Sequence, residues 1–264
     1  MKNYLVIGNP INHSLSPKLH NFWFKTNNIN AFYGKQKLEE NEIGNFIKNI
    51  KEQKIAGLNV TVPFKKMVIP YLDKLSFEAE KTQSVNTIVF ENNNLVGHNT
   101  DVAGFTRAII DINFNIKEKK ILILGAGGVV PSIIFALKKM EASQITISNR
   151  TKERAENLKT QFNNLKIVDW GIIQDFDIII NATSLGLKKE EINLDFSNVG
   201  NGKLFYDVIY NPSETNFLKK GKKLGNKVEN GKMMFLYQAF EAFKLWHGIE
   251  PEINENTLKL LQND

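Results

Sequence analysis

Short apolar runs recur along this chain at residues 4–7, 32–38, 56–62, 87–90, 95–97, 120–124, 144–148, 165–168, 177–180 and 204–208. Each is rich in Val, Ile, Leu, Tyr or Phe and of a length that suits a strand. Between them lie segments whose apolar positions recur at helical spacing. These predict helices over 16–27, 40–52, a dozen or so residues from Asp101, and 129–140, with helical segments reaching to about Ser84 in the stretch after Pro63. Ser16 reads as an N-cap with Pro17 at the first helical position. Asn92-Asn93-Asn94 between two apolar runs is a hairpin signal. The segment 232–246 is apolar on most of its faces, which predicts a buried helix of the kind often found between domains. Strands alternating with helices predict an α/β fold whose parallel sheets are covered by helices.

One run carries more than a strand signal. Residues 120–124 end in Gly125-Ala126-Gly127-Gly128, a helical segment follows, and then a second strand at 144–148 closes in Asn149-Arg150-Thr151. Strand, glycine turn, helix, strand is the layout of a dinucleotide site. Glycines let backbone N–H groups approach a pyrophosphate at a helix N-terminus, where the helix dipole favours an anion. About 20 residues on, an NAD site would carry Asp or Glu to bind the ribose diol; this chain has Asn149 and Arg150. An arginine attracts a 2′-phosphate and grips it bidentately, so the pattern predicts NADP rather than NAD. Val130 replaces the third glycine of the fingerprint, and Pro131 is acceptable to a helix only in its first turn.

Composition narrows the class without naming a reaction. The 264 residues suffice for two ordinary domains, and 42% hydrophobic with 23% charged content is normal for a globular protein. No apolar run approaches the roughly 18–20 residues that would span a bilayer. The chain enters a strand-like segment at Tyr4, which is not a signal-peptide layout, so the expected location is the cytoplasm. Cysteine is absent, which excludes disulfides and thiol chemistry and argues against structural zinc. The net charge of +6 is spread among asparagines and acids, with no basic stripe interleaved with aromatics. It suits an enzyme that handles anions better than a nucleic-acid binder. His13, His20, His98 and His247 have no metal-ligand spacing.

Four further segments hold polar residues where strands give way to helices or turns, the places where open α/β sheets bind ligands. Ser14 and Ser16 offer hydroxyl donors before a helix N-terminus, suited either to a carboxylate or to plain capping. Lys65 follows the run that ends Asn59-Val60-Thr61-Val62-Pro63; most such lysines are surface charges. Asn86 is an amide ligand or a turn residue. Asp101 is either a carboxylate for chemistry or the cap of the helix it opens, and capping is the commoner role.

Taken in order, these blocks resemble the shikimate dehydrogenase family. They are Gly8-Asn9-Pro10-Ile11-Asn12-His13-Ser14-Leu15-Ser16-Pro17 through His20-Asn21, then Asn59 to Lys65, Asn86-Thr87, Gly97-His98-Asn99-Thr100-Asp101, Gly125 to Gly128 and Asn149-Arg150-Thr151. Asn181-Ala182-Thr183-Ser184-Leu185-Gly186, Asp207 to Pro212, and Gly231 to Gln238 resemble its later blocks. The resemblance implies a three-layer α/β substrate-binding domain over 1–101, completed by C-terminal helices 239–264. A doubly wound NADP-binding domain would occupy 102–238. It implies that Ser14 and Ser16 bind the shikimate carboxylate, while Thr61, Asn86, Asp101, Tyr210 and Gln238 hold ring hydroxyls or help close the site. Lys65 would be the acid/base, assisted by Asp101. Gly125, Ala126, Gly127, Gly128 and Val129 would hold the pyrophosphate. Asn149, Arg150 and Arg154, with Thr151 beside them, would meet the 2′-phosphate; Thr183, Val208 and Gly231 would lie by the nicotinamide.

The implied activity is the reversible NADPH-dependent reduction of 3-dehydroshikimate to shikimate in the chorismate pathway of aromatic amino-acid biosynthesis, by a monomer or homodimer. The cofactor supplies hydride, so the protein has to orient it and deliver a proton, which an ammonium at Lys65 can do. In the opposite direction a neutral Lys65 acts as base, so activity is expected to rise with pH. Two rivals remain at this point: a relative that also takes quinate or uses NAD, and a catalytically silent sensor of shikimate-type ligands on the same fold. The joint presence of Lys65 and Asp101 speaks against the sensor. Phe77 stands where relatives often have an acid facing the cofactor, so that role is not carried over.

Overall fold

In the computed structural model, which describes residues 1–188 and 190–261, the apolar runs pair into two six-stranded sheets, each the centre of one compact unit. The first unit comprises Met1–Gly104 and the chain from Leu236 onward; the second is Phe105–Phe235.

The first unit begins with β1 (Lys2–Gly8), α1 (Ser16–Thr26), β2 (Ala31–Lys37), α2 (Ile43–Lys51) and β3 (Gly57–Val60). It continues with β4 (Lys74–Leu75), α3 (Phe77–Thr82) and the hairpin β5 (Thr87–Glu91) and β6 (Asn94–His98), after which α4 (Asp101–Asp111) leads away. The strand order is β2-β1-β3-β5-β6-β4. β1, β2 and β3 are parallel, β5 runs against both β3 and β6, and β4 pairs parallel to β6. The hairpin turn holds Asn92 and Asn93 at positive φ, a conformation asparagine tolerates well. This topology turns the carboxyl ends of β1, β3 and β6 and the amino end of β5 to one edge of the sheet.

Alternation along β1 sorts the two faces. Leu5 and Ile7 pack with Leu58, Val60 and Ile88 against Ile43, Ile47 and Ile50 of α2, three residues on one helical face. Tyr4 points the other way, to Phe24 of α1 and Trp246. Trp246 belongs to α8 (Lys232–His247), whose indole N–H donates to the Ile88 carbonyl at 3.2 Å, while Phe243 packs against Trp23 and Phe24. A Cβ at Gly57 would meet the Trp246 ring at 2.4 Å, so glycine there is what lets the indole lie on the strand. The result is three layers. The final short helix α9 (Glu255–Lys259) follows a segment whose Glu252 carbonyl accepts from the Trp23 indole at 3.2 Å.

Two local expectations are corrected. Residues 40–52 are a 3-10 turn, Glu40–Glu42, followed by α2; the Glu42 carboxylate accepts from the Glu39 amide at 2.7 Å in a capping box that starts the turn. In the stretch after Pro63 the expected helical segments reduce to one 3-10 turn (Ile69–Tyr71) and the six-residue α3, with the two-residue β4 between them. Pro70 has no N–H to donate and disfavours a helical Ile69, so the apolar pattern there cannot propagate as α-helix.

The second unit contains β7 (Lys120–Leu124), α5 (Val130–Lys139), β8 (Gln144–Ser148), α6 (Lys152–Gln161), β9 (Leu165–Val168), β10 (Ile178–Asn181), β11 (Leu204–Asp207), α7 (Asn216–Lys223) and β12 (Lys227–Glu229). All pairs are parallel, in the order β12-β11-β10-β7-β8-β9. Numbered within the unit this is the doubly wound 3-2-1-4-5-6 arrangement, whose switch point falls between β7 and β10. Ile121 to Leu124 and Ile178 to Ile180 are fully buried, as continuous apolar runs in a sheet covered on both faces should be. β12 was not foreseen: three residues beside Gly225 are too short to show a period. No described helix is long and apolar enough to cross a membrane.

Candidate active site

The shared edge of the first sheet brings together the residues that the motifs single out. Lys65 lies in the turn after β3, Asn86 just before β5, and Asp101 at the first residue of α4. Lys65 is 8% exposed and Asp101 6%, and the Lys65 ammonium donates to Asp101 Oδ2 at 2.5 Å. Asn86 Nδ2 donates to the other carboxylate oxygen at 3.0 Å and to Thr100 Oγ1 at 2.9 Å. Its Oδ1 accepts the Thr100 amide at 2.8 Å. A buried lysine with a buried carboxylate is uncommon unless the two are paired, and removing one partner strands the other in a poor solvent.

Capping of α4 falls to another residue. Asn99 Oδ1 accepts the amides of Asp101 and Val102 at 3.1 and 3.4 Å, and Asn99 Nδ2 is anchored on Thr82 Oγ1 at 2.8 Å and the Ser84 carbonyl at 2.9 Å. The Asp101 carboxylate is thereby released to face Lys65 and Asn86. Asp101 also sits in the first turn of α4, where the helix dipole favours a negative charge.

Ser16 is not the N-cap. It is the first residue of α1, after Leu15 in a helical conformation that makes no side-chain cap bond, and Pro17 is in the first turn. The Ser16 amide donates instead to Ser14 Oγ at 3.3 Å. Ser14 therefore supports the helix start, and the buried Ser16 side chain is left for another task. Thr61, partly exposed, follows β3 and donates its amide to the Ile7 carbonyl at 2.9 Å, which holds the ends of β1 and β3 together. Gln238 lies in the part of α8 that belongs to this unit and is half-buried.

In the second unit the glycine turn leaves β7 at the switch point. Gly125 has φ +112°, and a Cβ there would sit 2.8 Å from the Ala182 carbonyl oxygen, so only glycine fits. Ala126 is half-buried, Gly127 and Gly128 are exposed, and Val129 precedes α5 with no side-chain cap on the helix start. A glycine turn leading into a helix start that no side chain caps is the fitting place for a pyrophosphate. Val130 is fully buried at the head of α5 and Pro131 is in its first turn, so the missing third glycine is accommodated by core packing.

β8 ends at Ser148, and Asn149 Nδ2 folds back onto the Thr151 carbonyl at 2.7 Å. Thr151 is the N-cap position of α6, and Arg154 closes its first turn by donating its amide to the Thr151 carbonyl at 3.1 Å. Arg150, Thr151 and Arg154 are exposed, and among the described residues neither arginine side chain has a hydrogen-bond or ion-pair partner. An exposed guanidinium just after β8 and another in the first turn of α6 could hold a dianion.

The loop after β10 packs on that turn. Thr183 Cγ2 would be 3.1 Å from a Cβ at Gly125. The Thr183 hydroxyl donates to Asn181 Oδ1 at 2.7 Å and accepts the Leu185 amide at 3.0 Å, so it shapes the loop. Asn181 Nδ2 donates to Asp207 Oδ1 at 3.0 Å, and Thr215 Oγ1 donates to Asp207 Oδ2 at 2.6 Å. Burial pushes the Asp207 carboxyl up to about 6, against the pull of these donors. Neither Asn181 nor Asp207 was among the candidates, although each is a polar residue closing an otherwise apolar strand. Gly231 packs against Val208 so closely that a Cβ would lie 2.0 Å from the Val208 carbonyl oxygen, and its amide donates to the Ile209 carbonyl at 3.0 Å. Tyr210 stacks on Phe235 with ring centroids 4.7 Å apart.

A doubly wound sheet with a glycine turn at its switch point, joined in one chain to a unit bearing a buried lysine–carboxylate pair, defines a nicotinamide-nucleotide-dependent oxidoreductase. The family follows from comparison with known proteins. Residues 6–88 match the shikimate dehydrogenase substrate binding domain, and residues 107–197 match shikimate / quinate 5-dehydrogenase. The chain is 57% identical to shikimate dehydrogenase (NADP(+)) of Pelagibacter ubique, with 98% of each chain covered. Among solved structures it is similar to shikimate dehydrogenase from Aquifex aeolicus, at TM-score 0.89 and 36% identity over 100% of this chain and 98% of that one. It is equally similar to the Thermus thermophilus shikimate 5-dehydrogenase in complex with NADP(H) and shikimate, at TM-score 0.89 and 30% identity over 99% and 98% of the two chains. This chain belongs to the shikimate dehydrogenase family.

Proposed function

We propose that this protein catalyses the reversible NADP-dependent interconversion of shikimate and 3-dehydroshikimate, with Lys65 as acid/base and Asp101 as its partner. The observation that carries the reading is the buried Lys65–Asp101 pair, braced by Asn86 at the sheet edge that also bears Ser14 and Ser16. The cofactor, when bound, exchanges hydride with the ring carbon, and the rest of the chemistry is a proton on an oxygen. Toward the ketone substrate, Lys65 Nζ donates that proton and its charge stabilises the developing alkoxide. Asp101 fixes where the amine points. Ser14 and Ser16 hold the carboxylate, while Thr61, Asn86, Asp101, Tyr210 and Gln238 hold the ring hydroxyls or help close the site. In the oxidising direction neutral Lys65 accepts the hydroxyl proton.

Gly125 to Val129 hold the pyrophosphate on backbone amides, Arg150 and Arg154 with Asn149 and Thr151 grip the 2′-phosphate, and Thr183, Val208 and Gly231 line the nicotinamide end. The unit Met1–Gly104 with the C-terminal helices is the substrate domain, and Phe105–Phe235 the cofactor domain. Following absorbance at the NADPH band with shikimate or quinate against NADP or NAD tests the assignment. Turnover of shikimate with NADP above the other three pairs supports it. Equal rates with quinate or NAD would broaden the specificity, and no turnover with any pair would leave a ligand sensor.

A further inference from the structure

At the carboxyl edge of the second sheet lies a buried carboxylate that has no part in the chemistry above. Asp207 is the last residue of β11 and is fully buried, and among the described residues no cation pairs with it. Its partners are three neutral donors. Asn181 Nδ2 and the Ile209 amide both donate to Oδ1 at 3.0 Å, and Thr215 Oγ1 donates to Oδ2 at 2.6 Å. Keeping a carboxylate in so dry a place is costly even with these bonds, and burial raises its pKa against all three.

Strand pairing and helix capping do not account for that cost. β10 and β11 are already joined by their backbones, as far as the Val208 amide on the Asn181 carbonyl at 3.0 Å. Thr215 caps α7 through its own oxygen, which accepts the Leu218 amide at 3.4 Å. What the carboxylate adds is a tie between the two loops that leave these strands. On one side Asn181 Oδ1 accepts the Thr183 amide at 3.0 Å and the Thr183 hydroxyl at 2.7 Å, and Asn181 Nδ2 also donates to the Leu185 carbonyl at 3.2 Å. On the other side Val208 follows Asp207 directly, and the Ile209 carbonyl accepts the Gly231 amide at 3.0 Å while its own amide is held by the carboxylate. Thr183 and Gly231 are each two hydrogen bonds from Asp207, and Val208 is one peptide away.

We propose that Asp207, acting through Asn181, is a positioning residue of the cofactor site: it sets the Thr183 loop and the Val208–Ile209 segment in one register, so that the nicotinamide end, and not the adenosine end, is held in place. This rests on the reading above, in which Thr183, Val208 and Gly231 line the nicotinamide. The residues read as holding the pyrophosphate and the 2′-phosphate stand after β7 and β8, outside this tie.

The test compares two ligands: NADPH, which reaches both ends of the site, and adenosine 2′,5′-bisphosphate, which carries the 2′-phosphate but no nicotinamide. Their affinities are measured on the full-length parent protein and on Asp207→Asn and Asn181→Ala, with kcat for shikimate at saturating NADP alongside. Asp207→Asn keeps the shape of the side chain but turns an NH2 toward one of the donors, so a branch of the tie is lost while the fold should hold. NADPH affinity should fall by about fivefold and kcat by about tenfold, with bisphosphate affinity within about twofold of the parent. Asn181→Ala cuts the Thr183 branch outright and should show the same pattern at larger size, and the double variant should be little worse than Asn181→Ala alone. Unchanged NADPH affinity and kcat would overturn the proposal. So would equal losses for the two ligands, or variants that no longer fold by circular dichroism, because the pair would then serve the framework of the whole unit. Failure of the parent protein to turn over shikimate would overturn the functional reading and the proposal with it, a result distinct from normal turnover in a parent whose variants lose both ligands alike.

Discussion

The Lys65 edge of the first unit and the Gly125 edge of the second are both carboxyl edges of largely parallel sheets, yet they are made of different material. At Lys65 the groups that matter are buried side chains bonded to one another: ammonium, carboxylate, amide and hydroxyl. At Gly125 side chains are absent where the backbone must be approached, and the charged groups, Arg150 and Arg154, stand exposed. The difference fits the tasks we propose for the two edges. Moving a proton needs a titrating group held at one place, and holding it requires neighbours. Binding a pyrophosphate needs several N–H groups and room, which a helix start and glycines supply without neighbours. A side-chain site should therefore fail by losing chemistry and stability together, and a backbone site by losing affinity alone.

Asp101→Asn gives the largest contrast of that kind. It leaves the Lys65 ammonium buried without its counter-charge, so kcat for shikimate should fall by about 10²-fold or more, with a stability loss on the order of 3 kcal/mol in denaturant titration. NADP affinity should be unchanged. Retained stability with lost activity would mean that the pair is less coupled to the fold than its burial suggests. Next in size, Gly125→Ala forces a side chain into φ +112° and against the Ala182 carbonyl. Affinity for NADP and NAD should drop together by about tenfold, while shikimate binding measured calorimetrically stays put.

A smaller effect is expected from Arg150→Ala, which removes one exposed charge-assisted contact worth about 1 kcal/mol. NADP affinity should fall by about fivefold and NAD affinity should hold, narrowing the preference between them. Equal losses for both would place the 2′-phosphate elsewhere.

The smallest contrast is in pH. Burial pushes His20 down to about 3 and His247 to about 4, both in the first unit. The unfolded chain takes up these protons near pH 6.5 and the folded one does not, so stability falls as pH drops below about 6.5, by up to roughly 1.4 kcal/mol per pH unit for each histidine. Asp207 in the second unit is raised to about 6. Its folded form holds a proton that the unfolded one has lost, so its contribution improves on acidification between pH 6 and about 4. Hydrogen exchange at pH 7 and 5, corrected for intrinsic rates, should show weaker protection around Leu19–Phe24 at pH 5 and stronger protection in β10 and β11. Parallel changes in the two units would contradict the assignment of these groups.

Much of this was legible before the structure. Strands 120–124 and 178–181 lie close to where the apolar runs put them, because buried parallel strands leave nearly unbroken apolar signatures. The glycine turn was legible because φ and close approach dictate residue type. Ser16 misled because Ser-Pro is a capping signal, and only the tertiary structure shows that Ser14 takes over the support of the helix start. Asp101 read as a cap for the same reason until Asn99 was seen to do that work. The residues that hold the sites together were less visible. Tyr33 in β2 and Asn59 in β3 meet through a hydrogen bond although they lie 26 residues apart in the chain. Asn181 and Asp207, likewise 26 apart, meet only because β10 and β11 are neighbours. Pairings across a sheet are set by strand order, which no local window contains.

We assign the chemistry to one buried side chain of the first unit and the binding of the pyrophosphate to the backbone of the second. Lys65→Ala tests it most directly, with kcat for shikimate oxidation and NADP affinity by fluorescence titration measured on the same preparation. The expected result is a kcat lower by about 10³-fold or more, with NADP affinity within about twofold of the parent protein. A kcat retained within about tenfold would take Lys65 out of the reaction.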